Sequence, residues 1–238
     1  VCLLDQWPGD TLLQQIAAEN NLSETAFLVG AGADYALRWF TPTLEVDLCG
    51  HATLASAFVI FNFLAPHLDA VRFQTASGTL QVAKCGDLLE MDFPARKAEK
   101  RASVPGLADA LGAPPAEVYG ARDILAVFET EAQVRKMSPD FAALEKIKEA
   151  FAVIVTAPGE KVDFVSRFFA PNAGIPEDPV TGSAHCTLVP YWAARLGKKE
   201  LHARQVSARG GELFCKDRGE RVFMAGRAFL FARGELIL

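Results

Sequence analysis

With 238 residues, half of them hydrophobic and 22% charged, the chain has the composition of a globular protein and not of a disordered tail or a fibre. Its formal net charge of −5, with 24 Lys and Arg scattered along the chain, is a poor footprint for nucleic acid, whose binders cluster their cations, and it points to a small-molecule partner. The longest apolar stretch, Ala52 to Ala65, is interrupted by Thr53, Ser56 and Asn62 and is shorter than the ~20 residues of a membrane span, so no membrane association is expected.

From the start of the chain, Asp10 to Asn20 is predicted to be a helix, with Asp10 as cap and Leu12, Leu13, Ile16 and Ala17 at helical spacing. Thr25 to Val29 and Ala36 to Phe40 follow as strands. Ala52 to Leu64 is apolar nearly all round, as expected of a helix buried at the centre of a lobe. Leu80 to Ala83 and Leu88 to Phe93 flank Lys84-Cys85-Gly86-Asp87 and form a hairpin with Gly-Asp at its turn. The run Ala95 to Ser103 is the most charged and least apolar of the chain, and it marks a seam between an N-terminal lobe, 1–98, and a C-terminal lobe, 99–238; a solvated helix face is the other reading of the same run. Beyond it, helices are predicted over Pro105 to Leu111 and Pro139 to Glu149, and strands over Ile124 to Glu129, Val153 to Ala157 and Asp163 to Phe169. Gly182 to Leu196 is a second buried helix, and Leu201 to Leu238 carries several short strands separated by glycines. Strands that outnumber helices without strict alternation imply an α+β fold, not a doubly wound parallel sheet.

The chain also repeats itself once. Arg38-Trp39-Phe40-Thr41-Pro42 is matched by Arg167-Phe168-Phe169-Ala170-Pro171, and each is followed by an acidic loop, a glycine turn and an apolar helix. Phe73 to Leu80 after the first helix is matched by Gln205 to Leu213 after the second. A repeat of half the chain length implies a duplicated lobe and not a solenoid.

Five cysteines, Cys2, Cys49, Cys85, Cys186 and Cys215, form no CxxC pair, so neither a disulfide framework nor a zinc site is expected and a reducing cytoplasm fits. No basic segment precedes an apolar one near Val1, so no retained signal peptide is expected.

Both apolar helices begin at a small-residue turn, where unpaired N–H groups and the positive end of the dipole attract anions. Asp47 to His51 and Glu177 to Ser183 therefore read as paired floors of one cleft, with Gly50, Ala52, Thr181 and Gly182 as positions that bind a substrate carboxylate. Ordinary capping by Asp47 and Thr181 is the competing reading. His51 places a titratable ring at the mouth of an apolar helix, suited to proton transfer or to a satisfied structural role. Glu24 emerges where a helix feeds a strand and is either a partly buried acid/base or a helix terminator. Pro179 extends the backbone of Asp178 and directs it, and Ser183 suits an orienting donor, since no Gly-x-Ser-x-Gly elbow surrounds it. No HExxH pair, phosphate loop or GxGxxG fingerprint is present.

Asn20 to Thr25, Leu48 to Ala55, Gly174 to His185 and Gln205 to Gly211 resemble, in order and over essentially the whole chain, the signatures of the PhzF family, phenazine-biosynthesis-like proteins related to diaminopimelate epimerase. The resemblance implies a diaminopimelate epimerase-like fold of two pseudo-symmetric lobes, each a sheet wrapped around a central helix, a homodimer, and an inter-lobe active site without cofactor or metal. It places the general acid/base at Glu24, with His51, Asp178 and Ser183 completing the catalytic set. The implied activity is an isomerase that moves a proton on a small carboxylate-bearing metabolite. Members usually carry ~18–20 residues before the position of Val1, including a first strand that the N-terminal lobe is therefore expected to lack in this sequence. Related epimerases use two facing thiols, whereas Cys49 has Thr181 at the equivalent place. An amino- or hydroxy-acid racemase or epimerase, and an inert metabolite-binding protein, are the alternatives.

Overall fold

The computed structural model describes residues 1–237; Leu238, the last residue of the predicted C-terminal lobe and its strands, lies outside the described residues. The first half contains β1 (Cys2–Leu4), α1 (Asp10–Asn20), β2 (Thr25–Ala31), β3 (Asp34–Phe40), β4 (Glu45–Val46), α2 (Gly50–Val59), β5 (Ala70–Thr75), β6 (Gly78–Cys85) and β7 (Leu88–Pro94). The second half contains β8 (Glu99–Arg101), α3 (Leu107–Leu111), β9 (Glu117–Gly120), β10 (Ile124–Val127), α4 (Glu131–Lys136), α5 (Phe141–Leu144), β11 (Val153–Pro158), β12 (Phe164–Ala170), β13 (Ile175–Asp178), α6 (Gly182–Leu196), β14 (Glu200–Gln205), β15 (Gly211–Asp217) and β16 (Arg221–Gly226).

The repeat seen in the sequence is a repeat of topology. In the first half β3 pairs antiparallel with β2, passes through α2 and returns as β5, parallel to β3 and antiparallel to β6. In the second half β12 pairs antiparallel with β11, passes through α6 and returns as β14, parallel to β12 and antiparallel to β15. The short strands β4 and β13, each on β3 or β12, deliver the chain to the start of the following helix. All strands except β4 and β13 lie on one path, β1-β2-β3-β5-β6-β7-β16-β15-β14-β12-β11-β10-β9-β8, joined at its middle by antiparallel pairing of β7 with β16.

Each half curls around its own helix. α2 buries Ala52, Thr53, Leu54, Ser56 and Ala57, and α6 is buried almost continuously from Gly182 to Val189. One apolar cluster takes in Leu54, Phe73 and Phe93 from the first half and Phe164, Leu188 and Trp192 from the second; each such side chain contributes about 1.5–3 kcal/mol on full burial. Trp192 satisfies its indole N–H on Thr156 Oγ1 at 3.0 Å. Outer helices cover the other faces: α1 places Leu13, Ile16 and Ala17 on Phe27 and Phe40, and α3 to α5 cover Val155, Val165 and Phe169. Among the described residues no helix is long and apolar enough to cross a membrane.

Pro190 lies inside α6 and cannot bond to the carbonyl of Cys186 one turn back. The amide of Arg96, in the link between the halves, takes that carbonyl at 2.8 Å. The seam is thereby tied to the central helix of the second half.

Several expectations are corrected. Asp10 is the first helical residue behind an N-cap at Gly9, and its carboxylate pairs with Arg38 at 2.9 Å. The predicted first central helix starts at Gly50 and ends in a π-helical turn over Ile60–Leu64. The helix expected over Pro139 to Glu149 shrinks to α5, capped by Asp140 Oδ1 on the Ala143 amide at 3.0 Å. The charged seam contains β8, paired with β9. The predicted meander ends at Gly226, the end of β16, whose two edges are occupied by β15 and β7.

At the start of the two central helices the backbones touch. A methyl group on Gly50 would fall 2.6 Å from Gly182 Cα, and one on Gly182 would fall 2.7 Å from Gly50 Cα. Near them is a polar cluster in which Asp47 contacts Arg122 Nη2 at 3.2 Å and Arg96 Nη2 at 3.4 Å. Asp123 is buried beside it, with neither carboxylate oxygen hydrogen-bonded. Burial pushes its acid up to about 6, against the pull of Arg122 and Arg96.

Two predictions follow from these contacts. Gly182→Ala should lower unfolding stability by about 1–3 kcal/mol, the usual cost of overpacking, read as a shift in the urea midpoint; an unshifted midpoint would mean the helices separate freely. Asp123 binds its proton more tightly folded than unfolded, so its contribution to stability is complete below the unfolded value of 3.8 and lost as pH rises through about 6. Asp123→Asn should therefore exceed the parent in stability by about 3 kcal/mol above pH ~7, with the advantage vanishing below pH ~4; a pH-independent difference would contradict the assignment.

Candidate active site

Helix α1 ends with Asn21 in the left-handed region, φ 47°, and the side-chain Nδ2 of Asn20 donates to Thr25 Oγ1 at 3.1 Å. This tight turn sets Glu24 immediately before β2, with its side chain only 11% exposed. Glu24 Oε2 lies 3.0 Å from His51 Nε2 as an ion-pair contact. Its alignment falls short of a hydrogen bond, so this buried oxygen keeps its acceptor capacity.

His51 is the second residue of α2. Its Nδ1–H donates to the carbonyl of Val180, in the loop entering α6, at 2.9 Å. Asp178 Oδ2 is 4.0 Å from the same nitrogen. One ring nitrogen thus faces a carbonyl and the other a carboxylate, an arrangement that suits the imidazolium. Burial opposes that charge, but Cys49, Asp178 and Glu24 together hold the ring's pKa well above its ordinary value.

Asp178 closes β13, and the alternation of that strand separates it from its neighbour. Glu177 points away into a bidentate pair with Arg167, at 2.7 and 2.9 Å, while Asp178 points inward and is 2% exposed. Its Oδ2 accepts from Thr181 Oγ1 and its Oδ1 is buried without a partner. Burial pushes this acid up to about 6, offset in part by His51 and reinforced by Glu24.

Gln205, at the end of β14, holds the loop in place. Its Nε2 donates to the Asp178 carbonyl at 2.6 Å and to Thr181 Oγ1 at 3.1 Å, and its Oε1 accepts from the Thr181 amide at 2.7 Å. The Thr181 amide is therefore already engaged, and Thr181 serves the site by steadying Asp178. Gln205 stood in a motif without an assigned role; its full burial, which requires a partner, is visible only in the structure.

The amides of Gly50, His51 and Ala52, and of Gly182, Ser183 and Ala184, are first-turn amides, which have no partner within their own helix. Because Gly50 and Gly182 abut, these two sets of donors meet. A cavity of about 20 Å³ beside them is lined by Glu24, Asp178, Thr181 and Ser183, with Arg122, Leu48, Phe151 and Phe168 among its other walls. Gly50, His51, Ala52 and Gly182 are not among its lining residues. Arg122, 23% exposed, went unnoticed in the sequence because it stands in a loop between two short strands and in no motif.

Cys49 and Thr181 are the N-caps of α2 and α6, equivalent positions of the repeat. Cys49 Sγ lies 3.8 and 3.9 Å from the two nitrogens of His51, and burial, with Glu24 acting in the same direction, pushes its thiol up to about 11. With a hydroxyl at the equivalent position, no thiol pair is formed. Glu24, Cys49 and His51 offer ligand atoms within 4.8 Å of one another; a cation there would have to displace the protons of a neutral thiol and a charged ring.

The remaining histidines stand elsewhere. His185 is fully buried, with Nδ1 on the Thr181 carbonyl at 2.8 Å, and burial lowers its pKa to about 4. His202 pairs with Glu212 at 2.8 Å on a strand surface.

The model of the phenazine biosynthesis-like protein family, PhzC-PhzF, matches residues 1–234. An uncharacterized isomerase of Pseudomonas aeruginosa is 53% identical over 238 residues, covering 100% of this chain and 92% of that protein. The human phenazine biosynthesis-like domain-containing protein is 36% identical over 279 residues, covering 99% and 92%. The crystal structure of a PhzF-family phenazine biosynthesis protein from Enterococcus faecalis superposes with a TM-score of 0.93 at 49% identity, covering 99% of this chain and 91% of that one. A hydroxyproline epimerase from Agrobacterium vitis shares the fold alone, with a TM-score of 0.61 at 11% identity, covering 96% and 85%. By its matched residues, its architecture and these relatives, the chain belongs to the PhzF family of phenazine biosynthesis-like proteins, whose close members are named isomerases.

Proposed function

We propose that this protein is an isomerase that moves a proton on a small carboxylate-bearing metabolite with its own side chains as acid and base. The observation that carries the reading is the convergence of Glu24, His51 and Asp178 beside the meeting point of two helix amino ends. First-turn amides at those ends, with Ser183 on the cavity wall, suit a substrate carboxylate and the negative charge that grows on it when a neighbouring C–H is ionised.

Glu24 Oε2, buried and free of hydrogen bonds, accepts the carbon-bound proton. His51, kept cationic by its carboxylate neighbours, stabilises the resulting carbanionic or enolate form. The proton returns from Glu24 to another carbon of the same face, and the double bond shifts. Asp178 orients the ring through its approach to Nδ1. At about 20 Å³ the cavity holds roughly one water, so a metabolite enters when its walls part and reacts when they exclude solvent.

A panel of small carboxylic acids bearing acidic C–H groups, incubated in deuterated water and followed by proton NMR, tests the reading. One or more should exchange at a position allylic or alpha to the carboxylate, with rearrangement and without inversion at a stereocentre; inversion would assign an epimerase. Glu24→Gln should slow exchange by about 10²–10⁴-fold while ligand binding persists, and full activity in that variant would remove Glu24 from the mechanism. Ser183→Ala should cost about 10²-fold in turnover. Binding without exchange by any acid would favour an inert metabolite-binding protein.

A further inference from the structure

Arg122 is the one cationic side chain among the residues lining the cavity, and the mechanism above leaves it without a task. It follows β9 and precedes β10, and its guanidinium carbon sits 4.0 Å from the centroid of Phe151, another wall residue. Such stacking fixes the plane of the group and leaves its edge to bind. A guanidinium carries five N–H donors. Among the described residues its one polar side-chain contact is Nη2 to Asp47 Oδ1 at 3.2 Å, too poorly aligned to be a hydrogen bond, and Asp47 is shared with Arg96 at 3.4 Å. Most of the donors are unspent.

The amides at the helix starts and Ser183 make one anion-binding surface, and Arg122 makes another on the same small cavity. We infer that Arg122 is a specificity-determining residue that binds a second carboxylate of the substrate, so that the metabolite handled here is a dicarboxylate. The inference rests on the reading of this cavity as the substrate site. A planar carboxylate matches the fork of a stacked guanidinium in two parallel N–H···O bonds, and Asp47 then serves as the counterion that holds the fork ready in the empty site.

The test uses succinate and butyrate, equal in carbon number and differing by one carboxylate, with dissociation constants measured by ligand-observed NMR on the full chain. The parent protein should bind succinate about tenfold more tightly than butyrate, the scale of one charge-assisted bond. Arg122→Gln should erase the preference while leaving butyrate unchanged, Arg122→Lys should keep part of it, and Asp47→Asn should strengthen succinate binding by freeing the fork. Unchanged near-ultraviolet circular dichroism establishes that each variant is folded. No preference in the parent, or a preference that survives Arg122→Gln, overturns the inference. Glu24→Gln separates the two readings: it should retain the succinate preference while losing proton exchange. A preference dependent on Arg122 with no exchangeable acid would leave the anion site standing without the isomerase, and exchange confined to monocarboxylates would do the reverse.

Discussion

The contact between Gly50 and Gly182 governs the rest of this structure. Two helices can bring their amino ends to one point only if neither carries a side chain there, and the distances, 2.6 and 2.7 Å to a hypothetical Cβ, leave no room for even a methyl group. The contact brings together the partial positive charges of two macrodipoles, which repel one another and attract an anion. Carboxylates stand close by on both sides, Glu24 from the first half and Asp178 from the second, with the His51 ring between them. The duplicated architecture is what makes this possible: each half supplies one helix start and one acid.

Burial sets the chemistry of the acid and the thiol, and charged neighbours set that of the ring. Asp178 and Cys49 are both held toward their neutral forms by loss of solvent, whereas His51 is held charged against it. A site with two carboxyls and one imidazolium in a near-dry space has charges that depend on each other, and removing any one of them changes the protonation of the others. Gln205 and Thr181 hold the Asp178 loop by four hydrogen bonds involving Asp178 and one another. That support lets a buried acid keep one oxygen unpartnered.

Much of this was legible in the sequence, and the reasons differ by element. The central helices are apolar on all faces, a pattern surface helices do not show, so Gly182 to Leu196 was bounded correctly, and Ala52 to Leu64 ended correctly, at the close of the π-helical turn, but began two residues late. The internal match of Arg38 to Pro42 with Arg167 to Pro171 foretold equal topology because both segments finish the strand that precedes a central helix. Strand β8 was hidden because Glu99, Lys100 and Arg101 are all exposed, and an edge strand without an apolar face has no period to read. Helix α4 was hidden because its six residues are too few for a helical stripe, although its capping box, Thr130 with Gln133, was there to be found. At the site, Glu24, His51, Asp178 and Ser183 belong to motifs. Arg122 and Gln205 act through contacts between segments distant in sequence, which spacing along one segment does not encode.

The pairing of β7 with β16 bears on how the polypeptide is made. The outer edge of β7, from Leu89 to Pro94, is covered by residues 221–226 alone among the described residues. Until the ribosome has released that stretch, the earlier sheet presents a bare row of amides and carbonyls with Val82, Met91 and Phe93 behind it. Closing that edge requires a long loop to be drawn in, and until it closes the bare edge is open to pairing with another chain.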